Sequence, residues 1–566
     1  MAHLEIYTMG RGGGDGRRQN VSLGGGQQKC IEGGVGEAWS QQDLSGLTRM
    51  AELPTIPQFF AGRHVFVTGA SGFMGKVLVE KLLRSCPDIA KIYMLMRAKR
   101  GKSPLDRLQT ITNMELFDRL KQEQPHALEK LVVVTGDAIK PGLGLSADDR
   151  RILEERVSII FHVAASVRFD DSITYAVNMN VRGTQEVAEL ALKMKNLVVL
   201  LHVSTTYCNT DRKVIDEVIY PPHGDWKKSI EMVENIDEAV LRLITPKILG
   251  GLPNTYTYTK SLAEHLIEDY SERIPAVIFR PSIVISTLDE PIKGWIDNFN
   301  GPVGLMVAGG KGIVHCFLAD EDITSDYVPV DIAIKSMITA AWHRGSQSCY
   351  AISLRRSPSQ KVEVYNCSTT EVRALSLGEL LSRAYSFALE IPVDKPLWYP
   401  SGFVTKYNSV FQIGVIFLHL LPAIIFDTVL KIDGQKPLLI NIHRRIYVAN
   451  LALKYFMLNQ WRFLNRRFMS LSTFLHQSDV EAFSIDIVTP DLTDYFRNCL
   501  IGGKKYLFKE DLSNIPKARK NIYRLYVLDR IVRVLFFILI TLYVVIPFWN
   551  AALRQWFKFQ DTLFSS

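Results

Sequence analysis

The chain has 566 residues, of which 47% are hydrophobic and 22% charged, with a formal net charge of +8. That length suggests roughly two to four domains with a large apolar core, and so diffuse a positive charge, without interleaved basic and aromatic runs, argues against a nucleic-acid partner. The seven cysteines are scattered with no Cys-x-x-Cys pair, which argues against a zinc site or a disulfide framework and fits a reducing compartment.

Residues 1–10 lack the basic start and apolar run of a signal peptide. Residues 1–53 are rich in Gly, Gln and Ser and are expected to be a disordered extension, since they cannot bury enough apolar surface to offset chain entropy. His64 to Thr68 is a short apolar run that predicts a buried strand. It runs into Thr68-Gly69-Ala70-Ser71-Gly72-Phe73-Met74-Gly75, after which Val77, Leu78, Leu82 and Leu83 share a helix face. Glycines between a strand and a helix permit a tight turn and let backbone N–H groups approach a pyrophosphate, with the helix N-terminus facing its charge. Thr68, Gly69, Ser71, Gly72, Phe73, Met74 and Gly75 are therefore candidate dinucleotide-binding residues.

A second strand, Lys91 to Met96, ends at Arg97, with Lys99 and Arg100 beyond. An NAD site usually places an acid here for the ribose hydroxyls, whereas a cation suits the 2′-phosphate of NADPH. Arg97 is the candidate for that contact, with Lys99 and Arg100 as helpers. A third strand, Leu131 to Thr135, leads to Gly136-Asp137, where the Asp137 carboxylate is placed to meet the adenine amine. Apolar runs at 157–165 and 197–204 predict further strands, with a helix over 173–194 between them. Strands alternating with helices define an α/β fold with a doubly wound parallel sheet of the Rossmann type.

The run at 197–204 ends in Val203-Ser204-Thr205-Thr206, at the sheet edge where ligands bind. A helix over 257–270 is preceded by Tyr256, four residues before Lys260, so both project from one helix face. A free tyrosine titrates near 10, and a neighbouring ammonium favours its phenolate. The pair is thus a candidate proton donor to a carbonyl oxygen receiving hydride, with a hydroxyl of Ser204 or Thr205 holding that oxygen. Cys208 reads as a packed thiol rather than a nucleophile, and His162 as a satisfied strand-end histidine. One more strand is expected over 276–285.

From about Leu380 strand signals fade and Leu, Phe, Tyr and Arg dominate. The expected organisation is a reductase domain over 54–379, a mainly helical domain over 380–500, a basic linker over 501–533 and a membrane helix over 534–553. Residues 407–426 are uncharged but contain Gln412, His419 and Pro422, a weak spanning candidate. Residues 534–553 are uncharged between Arg533 and Arg554, with Lys517, Arg519, Lys520, Arg524, Arg530 and Arg533 upstream. The uncharged length predicts insertion in a lipid bilayer, and the basic excess predicts that the upstream side is in the cytosol.

These residues carry a family resemblance. The glycine loop, Tyr256/Lys260, Asn180-Val181-x-Gly183-Thr184, Phe279-Arg280-Pro281-Ser282 and Asp326-Tyr327-Val328-Pro329-Val330-Asp331 resemble the extended short-chain dehydrogenases/reductases. More narrowly, Phe59-Phe60-x-Gly62, His202-Val203-Ser204-Thr205-x-Tyr207-Cys208-Asn209 and Asn254-Thr255-Tyr256-Thr257-Tyr258-Thr259-Lys260 resemble the eukaryotic fatty acyl-CoA reductases, over about residues 54–499, and the apolar C-terminus resembles the insect members. The resemblance implies reduction of a long-chain fatty acyl-CoA to a primary alcohol with two NADPH through an aldehyde. Tyr256 would protonate the carbonyl oxygen, Lys260 would lower the Tyr256 pKa and hold the nicotinamide ribose, and Thr205, or else Ser204, would orient the carbonyl. Endoplasmic-reticulum and peroxisomal membranes both suit a cytosolic reductase domain. The rival readings are an extended reductase or epimerase acting on a sterol or nucleotide-sugar, and a non-enzymatic membrane scaffold. Oligomeric state and chain-length preference leave no mark in the sequence.

Overall fold

The computed structural model describes residues 53–564 other than 100, 300, 355–360, 373–374 and 489–490. The expected disordered extension, apart from its last residue, and the expected phosphate helper Arg100 lie outside the described residues.

In chain order the elements used below are β1 (His64–Thr68), α1 (Phe73–Ser85), β2 (Lys91–Met96), α2 (Pro104–Thr112), β3 (Leu131–Thr135), β4 (Val157–His162), α3 (Gly183–Ala191), β5 (Val199–Val203), β6 (Val214–Ile215), α4 (Thr255–Ser271), β7 (Ala276–Pro281), β8 (Ile283–Ile285), β9 (Cys316–Leu318), β10 (Tyr327–Pro329), α5 (Val330–Ser353), β11 (Glu363–Cys367), β12 (Phe403–Thr405), α6 (Asn408–Ile432), α7 (Leu439–Met457) and β13 (Arg462–Phe463). Seven strands form one parallel sheet in the order β11-β7-β5-β4-β1-β2-β3. The order reverses between β1 and β4, and such a switch point opens a crevice at the carboxyl ends of the strands. Strands β4, β5 and β7 are buried at every residue, as expected of a parallel sheet covered on both faces. One apolar cluster joins Phe66, Ile160, Leu200 and Ile278 of the sheet to Val181, Leu262 and Leu266 of the covering helices.

The first three strands have the expected limits. The run at 276–285 divides: β7 stays in the main sheet, while β8 pairs with β10. Ser282 is the divide, because its N–H donates to Cys367 O (3.0 Å) and its hydroxyl to Asp326 Oδ1 (2.5 Å), while the next N–H turns to Asp326 O (3.3 Å). The helix expected over 173–194 contains a π turn at Asn178–Arg182 and ends at Ala191. After β11 the chain is mainly helical. A second apolar cluster joins Ile285, Val303 and Val307 to Leu380, Phe387, Phe496 and Leu500, so these helices share a core with the region of β8. Residues 515–533, expected as linker, form the first turns of the C-terminal helix, which continues through Ile515–Ile540, Thr541–Val545 and Ile546–Phe564.

Glu290 ties α1 to α5. Its carboxylate accepts from Lys81 (3.0 Å), Arg84 (2.6 Å) and Lys335 (2.7 Å). Burial alone would raise this carboxyl, but Lys81, Lys335 and Arg84 outweigh it and hold it at about 2. A depressed acid contributes stability that is present above its unfolded value, about 4.3, and is lost as pH falls towards the folded one. Glu290→Gln removes the counter-charge that Lys81 and Lys335 share, while Arg84 keeps Glu80 (2.7 Å). It should cost about 2 kcal/mol at neutral pH, allowing for the solvent the carboxylate retains. Thermal melts should show the wild-type advantage vanishing as pH falls from about 4.3 towards 2; an equal gap at all pH values would contradict this.

Candidate active site

The loop between β1 and α1 closes against itself and against β4. Gly69 has φ +75°, and a Cβ on it would lie 2.6 Å from Ala164 N. A Cβ on Gly75 would lie 2.2 Å from Gly69 O. These glycines are therefore required by close backbone approach. Gly72 is the N-cap of α1 and is exposed; it supplies no side-chain hydrogen bond, and the first turn carries no acid. Among the described residues no side chain accepts from the first N–H groups of α1, so the helix terminus offers donors and a partial positive charge, a setting that fits a pyrophosphate. Ser71, Phe73 and Met74 are half-buried at this mouth, with the Phe73 ring stacked on Trp295 (5.6 Å). Thr68 is buried beneath, its hydroxyl bonded to His162 Nδ1 (2.7 Å), while His162 Nε2 bonds the Thr184 hydroxyl (2.9 Å). His162 is thus a satisfied strand-end residue, pushed down to about 3 by burial and then by Lys260.

Arg97 is exposed at the end of β2, and its guanidinium pairs with Asp137 (3.0 Å), so two candidate cofactor residues meet one another. A residue absent from the sequence reading joins them: Arg107, on α2, donates to Arg97 O (2.6 Å) and to Ser71 Oγ (2.9 Å). Burial and the Arg97 charge both depress Arg107. Two guanidinium groups beside the glycine loop make an anion site that one carboxylate only partly fills. Lys99 is exposed, its backbone paired with that of Lys102.

Asn254 caps α4, its Oδ1 accepting from Thr257 N (2.9 Å), which fixes where the helix starts and hence where Tyr256 sits. Tyr256 is half-buried. Burial pushes the phenol up to about 12, opposed by the nearby Thr205 hydroxyl. Lys260, one turn on, is buried and donates to Val203 O (2.7 Å) at the end of β5. Burial lowers its ammonium to about 8 against the pull of Glu264. The expected lowering of the phenol by the lysine is thus not seen: burial outweighs it, and the Lys260 ammonium donates to Val203 O. Ser204 is buried, and its hydroxyl has no hydrogen-bond partner among the described residues.

Glu264 continues the stripe one turn beyond Lys260. It pairs twofold with Arg280 on β7 (2.7 Å for each bond), both side chains buried, and accepts from the Cys208 thiol (3.3 Å). Burial would raise the carboxyl, and Arg280 more than offsets it. Burial, and next the Glu264 charge, push the Cys208 thiol well up, the opposite of a reactive thiolate. Asn180, in the π turn, donates to Thr259 Oγ1 (3.0 Å) and Ser166 O (3.1 Å), joining the loop after β4 to the Tyr256 helix. Neither Glu264 nor Asn180 was a candidate, although a glutamate at the next i+4 position was visible and Asn180 stood in a motif.

A doubly wound sheet with a glycine loop at its switch point and a tyrosine–lysine pair at the same edge defines a nicotinamide-dependent reductase of the short-chain dehydrogenase/reductase class. Two family models described as male sterility protein match the chain, an NAD-binding one over residues 67–337 and another over 418–510. Fatty acyl-CoA reductase 1 of Xenopus laevis is 38% identical over 471 residues, 83% of this chain and 90% of that one. Fatty acyl-CoA reductase wat of Drosophila melanogaster is 35% identical over 473 residues, 84% of this chain and 89% of that one. The chain belongs to the fatty acyl-CoA reductase family, within the extended branch of that class. Among solved structures, the reductase domain of a nonribosomal peptide synthetase from Mycobacterium tuberculosis shares the fold, with a TM-score of 0.54 at 19% identity, covering 82% of this chain and 95% of that one.

Gly75→Ala should force the loop off Gly69 O. Titration with a nicotinamide dinucleotide, followed by cofactor fluorescence, should show affinity weakened at least about tenfold, ~1.4 kcal/mol. Unaltered affinity would remove the loop from the binding site.

Proposed function

We propose that this protein reduces a long-chain fatty acyl-CoA to the primary alcohol with two NADPH, by way of the aldehyde. The observation that carries the reading is Tyr256 beside Thr205 at the end of β5, with the Lys260 ammonium, one helical turn along, donating to Val203 O (2.7 Å). Membership in a family whose relatives are called fatty acyl-CoA reductases supplies the substrate class.

Thr68, Gly69, Ser71, Gly72, Phe73, Met74 and Gly75 would hold the dinucleotide, with the pyrophosphate on the uncapped start of α1. Arg97 and Arg107 would take the 2′-phosphate, releasing Asp137 towards the adenine. Lys260 would exchange Val203 O for the nicotinamide ribose. Bound there, NADPH supplies hydride equivalents to the carbonyl carbon.

The chain's own groups do the rest. Thr205 and Tyr256 donate hydrogen bonds to the carbonyl oxygen, fixing it and stabilising the negative charge it develops. A phenol held at about 12 stays protonated at neutral pH, so it is loaded as the acid and needs no prior proton uptake. The thioester passes to a hemithioacetal, which expels CoA to leave an aldehyde, and a second reduction with a second proton from Tyr256 gives the alcohol. Ammonium at Lys260 favours the phenolate left behind and so assists its reprotonation cycle. No covalent intermediate on the protein is required. The C-terminal helix, with candidate span Leu512–Phe557, would anchor the protein in a bilayer with the basic residues of 517–533 and the reductase fold on the cytosolic side.

Purified protein with palmitoyl-CoA or a longer thioester and NADPH should yield fatty alcohol. Tyr256→Phe should lower kcat by about 10²–10⁴-fold while NADPH still binds; a variant that still makes alcohol at the wild-type rate would remove Tyr256 as the acid, and absence of alcohol from wild type across chain lengths would remove the substrate class. Arg97→Ala with Arg107→Ala should cost NADPH affinity about 10-fold or more and leave NADH binding nearly unchanged; an equal loss for both cofactors would take the pair out of 2′-phosphate recognition.

A further inference from the structure

Helix α6 is built inside out. Its buried residues are Phe411, Gly414, His419, Ala423 and Asp427, one narrow stripe that includes two polar side chains. The remaining surface is almost wholly apolar: Ile413, Phe417, Leu421, Ile424, Ile425 and Val429 are exposed, Ile425 to 66%. Both buried polar groups are satisfied inside the protein. His419 Nε2 accepts from His315 N (2.9 Å), and Asp427 accepts from the N–H groups of Leu438, Leu439 and Ile440 (2.9 Å each), serving as the cap of α7. Water would favour the reverse arrangement, with polar groups outside; hydrocarbon favours this one. A contiguous apolar face of this length is far larger than soluble monomers expose.

The chain leaves and returns at one point. Lys406, just before α6, pairs with Asp320 (3.5 Å), and the Asp320 N–H donates to Met457 O (2.9 Å) at the end of α7. The two helices are therefore a hairpin with both ends pinned to the body. On it, Lys431, Lys436, Arg444 and Arg445 are exposed, against one exposed acid, Asp433. Two exposed arginines on α7 bar the hairpin from crossing hydrocarbon but suit the level of anionic headgroups. The C-terminal helix leaves from the same neighbourhood: Trp398 donates to Asp529 (2.9 Å) and Arg533 to Ser401 (2.9 Å), within ten residues of α6.

We propose that the α6–α7 hairpin lies in the surface of an anionic lipid bilayer, apolar face down, as a second lipid contact that does not span the membrane. The inference rests on the proposed anchoring only for the nearness of a bilayer. It also connects that bilayer to the site: α7 ends with Phe456 against Phe169 (5.1 Å), and Phe169 lies against Tyr256 (5.8 Å). The aromatic run Phe456–Phe169–Tyr256 thus links the end of the hairpin to the proposed proton donor, an apolar wall along which an acyl chain from the bilayer would reach the reducing centre.

The test uses the full chain in phosphatidylcholine–phosphatidylserine vesicles carrying a phospholipid with a photoactivatable diazirine on its acyl chain, followed by peptide mapping. Lipid adducts are expected on residues 410–432 and on 534–557. Adducts confined to 534–557 overturn the hairpin contact and leave the anchor intact; adducts confined to 410–432 uphold the contact and remove the anchor. Protein–protein cross-links between two copies at 410–432, in place of lipid adducts, overturn it in favour of self-association. Ile416→Glu with Ile424→Glu changes two exposed side chains, so NADPH binding should stay at the wild-type level. Hairpin labelling should fall to background while tail labelling persists, and undiminished hairpin labelling overturns the proposal.

Discussion

Lys260 carries an ammonium into the interior of a parallel sheet, and the surrounding structure is arranged to make that tolerable. Its nearest counter-charge is Glu264, one helical turn further along the same face, and Glu264 is in turn held by Arg280 through two bonds of 2.7 Å. Neither member of that pair reaches solvent. Removing one partner from such a pair costs on the order of 3–5 kcal/mol, because the other is left charged and unpaired. Arg280 spends its remaining donors on Asp216 O (3.0 Å) and Val218 O (2.7 Å), which fixes the segment around Glu217. Glu217 then accepts from Asn366 N (3.1 Å) at β11 and from Phe468 N (2.8 Å) in the helical region. One chain of charge and hydrogen bonding therefore runs from the proposed catalytic helix through two sheet strands into the C-terminal half.

That chain explains why the two halves of the molecule are not separable at a clean boundary. Strand β13, far along the sequence, pairs with β6 immediately before the Glu217 segment. Apolar packing follows the same route: Phe456 and Trp461 from the C-terminal half close around Tyr207, next to the Ser204–Thr205 strand end. The helical region thus completes one wall of the site that the sheet begins, which is where a long apolar substrate would be sorted.

Much of this was legible in the sequence because the information was local. A glycine loop between a strand and a helix, or a tyrosine and lysine four residues apart, has the same geometry wherever it occurs, so the first three strands, the glycine loop and the shared face of Tyr256 and Lys260 could be read directly. The features that were missed depend on distant partners. Arg107 reaches Ser71 across 36 residues, and Arg280 meets Glu264 only once β7 lies beside α4. The apolar run at 276–285 looks continuous, yet Asp326, more than 40 residues on, draws it out of the sheet at Ser282. Strand β11, Glu363–Cys367, has mixed polarity, since Asn366 bonds Ile215 O and Leu464 O inside the protein, and no hydropathy pattern announces a strand whose polar residue is buried with its partners.

The same rule, that polar groups go where their partners are, yields opposite surfaces in two solvents. In the reductase half, Lys76, Lys81 and Arg280 turn inward to acids. Along α6, His419 and Asp427 also turn inward to backbone N–H groups, but what faces outward is apolar. Sequence periodicity cannot separate these cases, because a helix with a polar stripe looks alike whether the stripe faces water or protein. Burial separates them at once: a stripe that is polar and buried, opposite a face that is apolar and exposed, assigns the outer medium as hydrocarbon. With the proposed lipid contact, a substrate that partitions into lipid would meet the site from the phase that holds it.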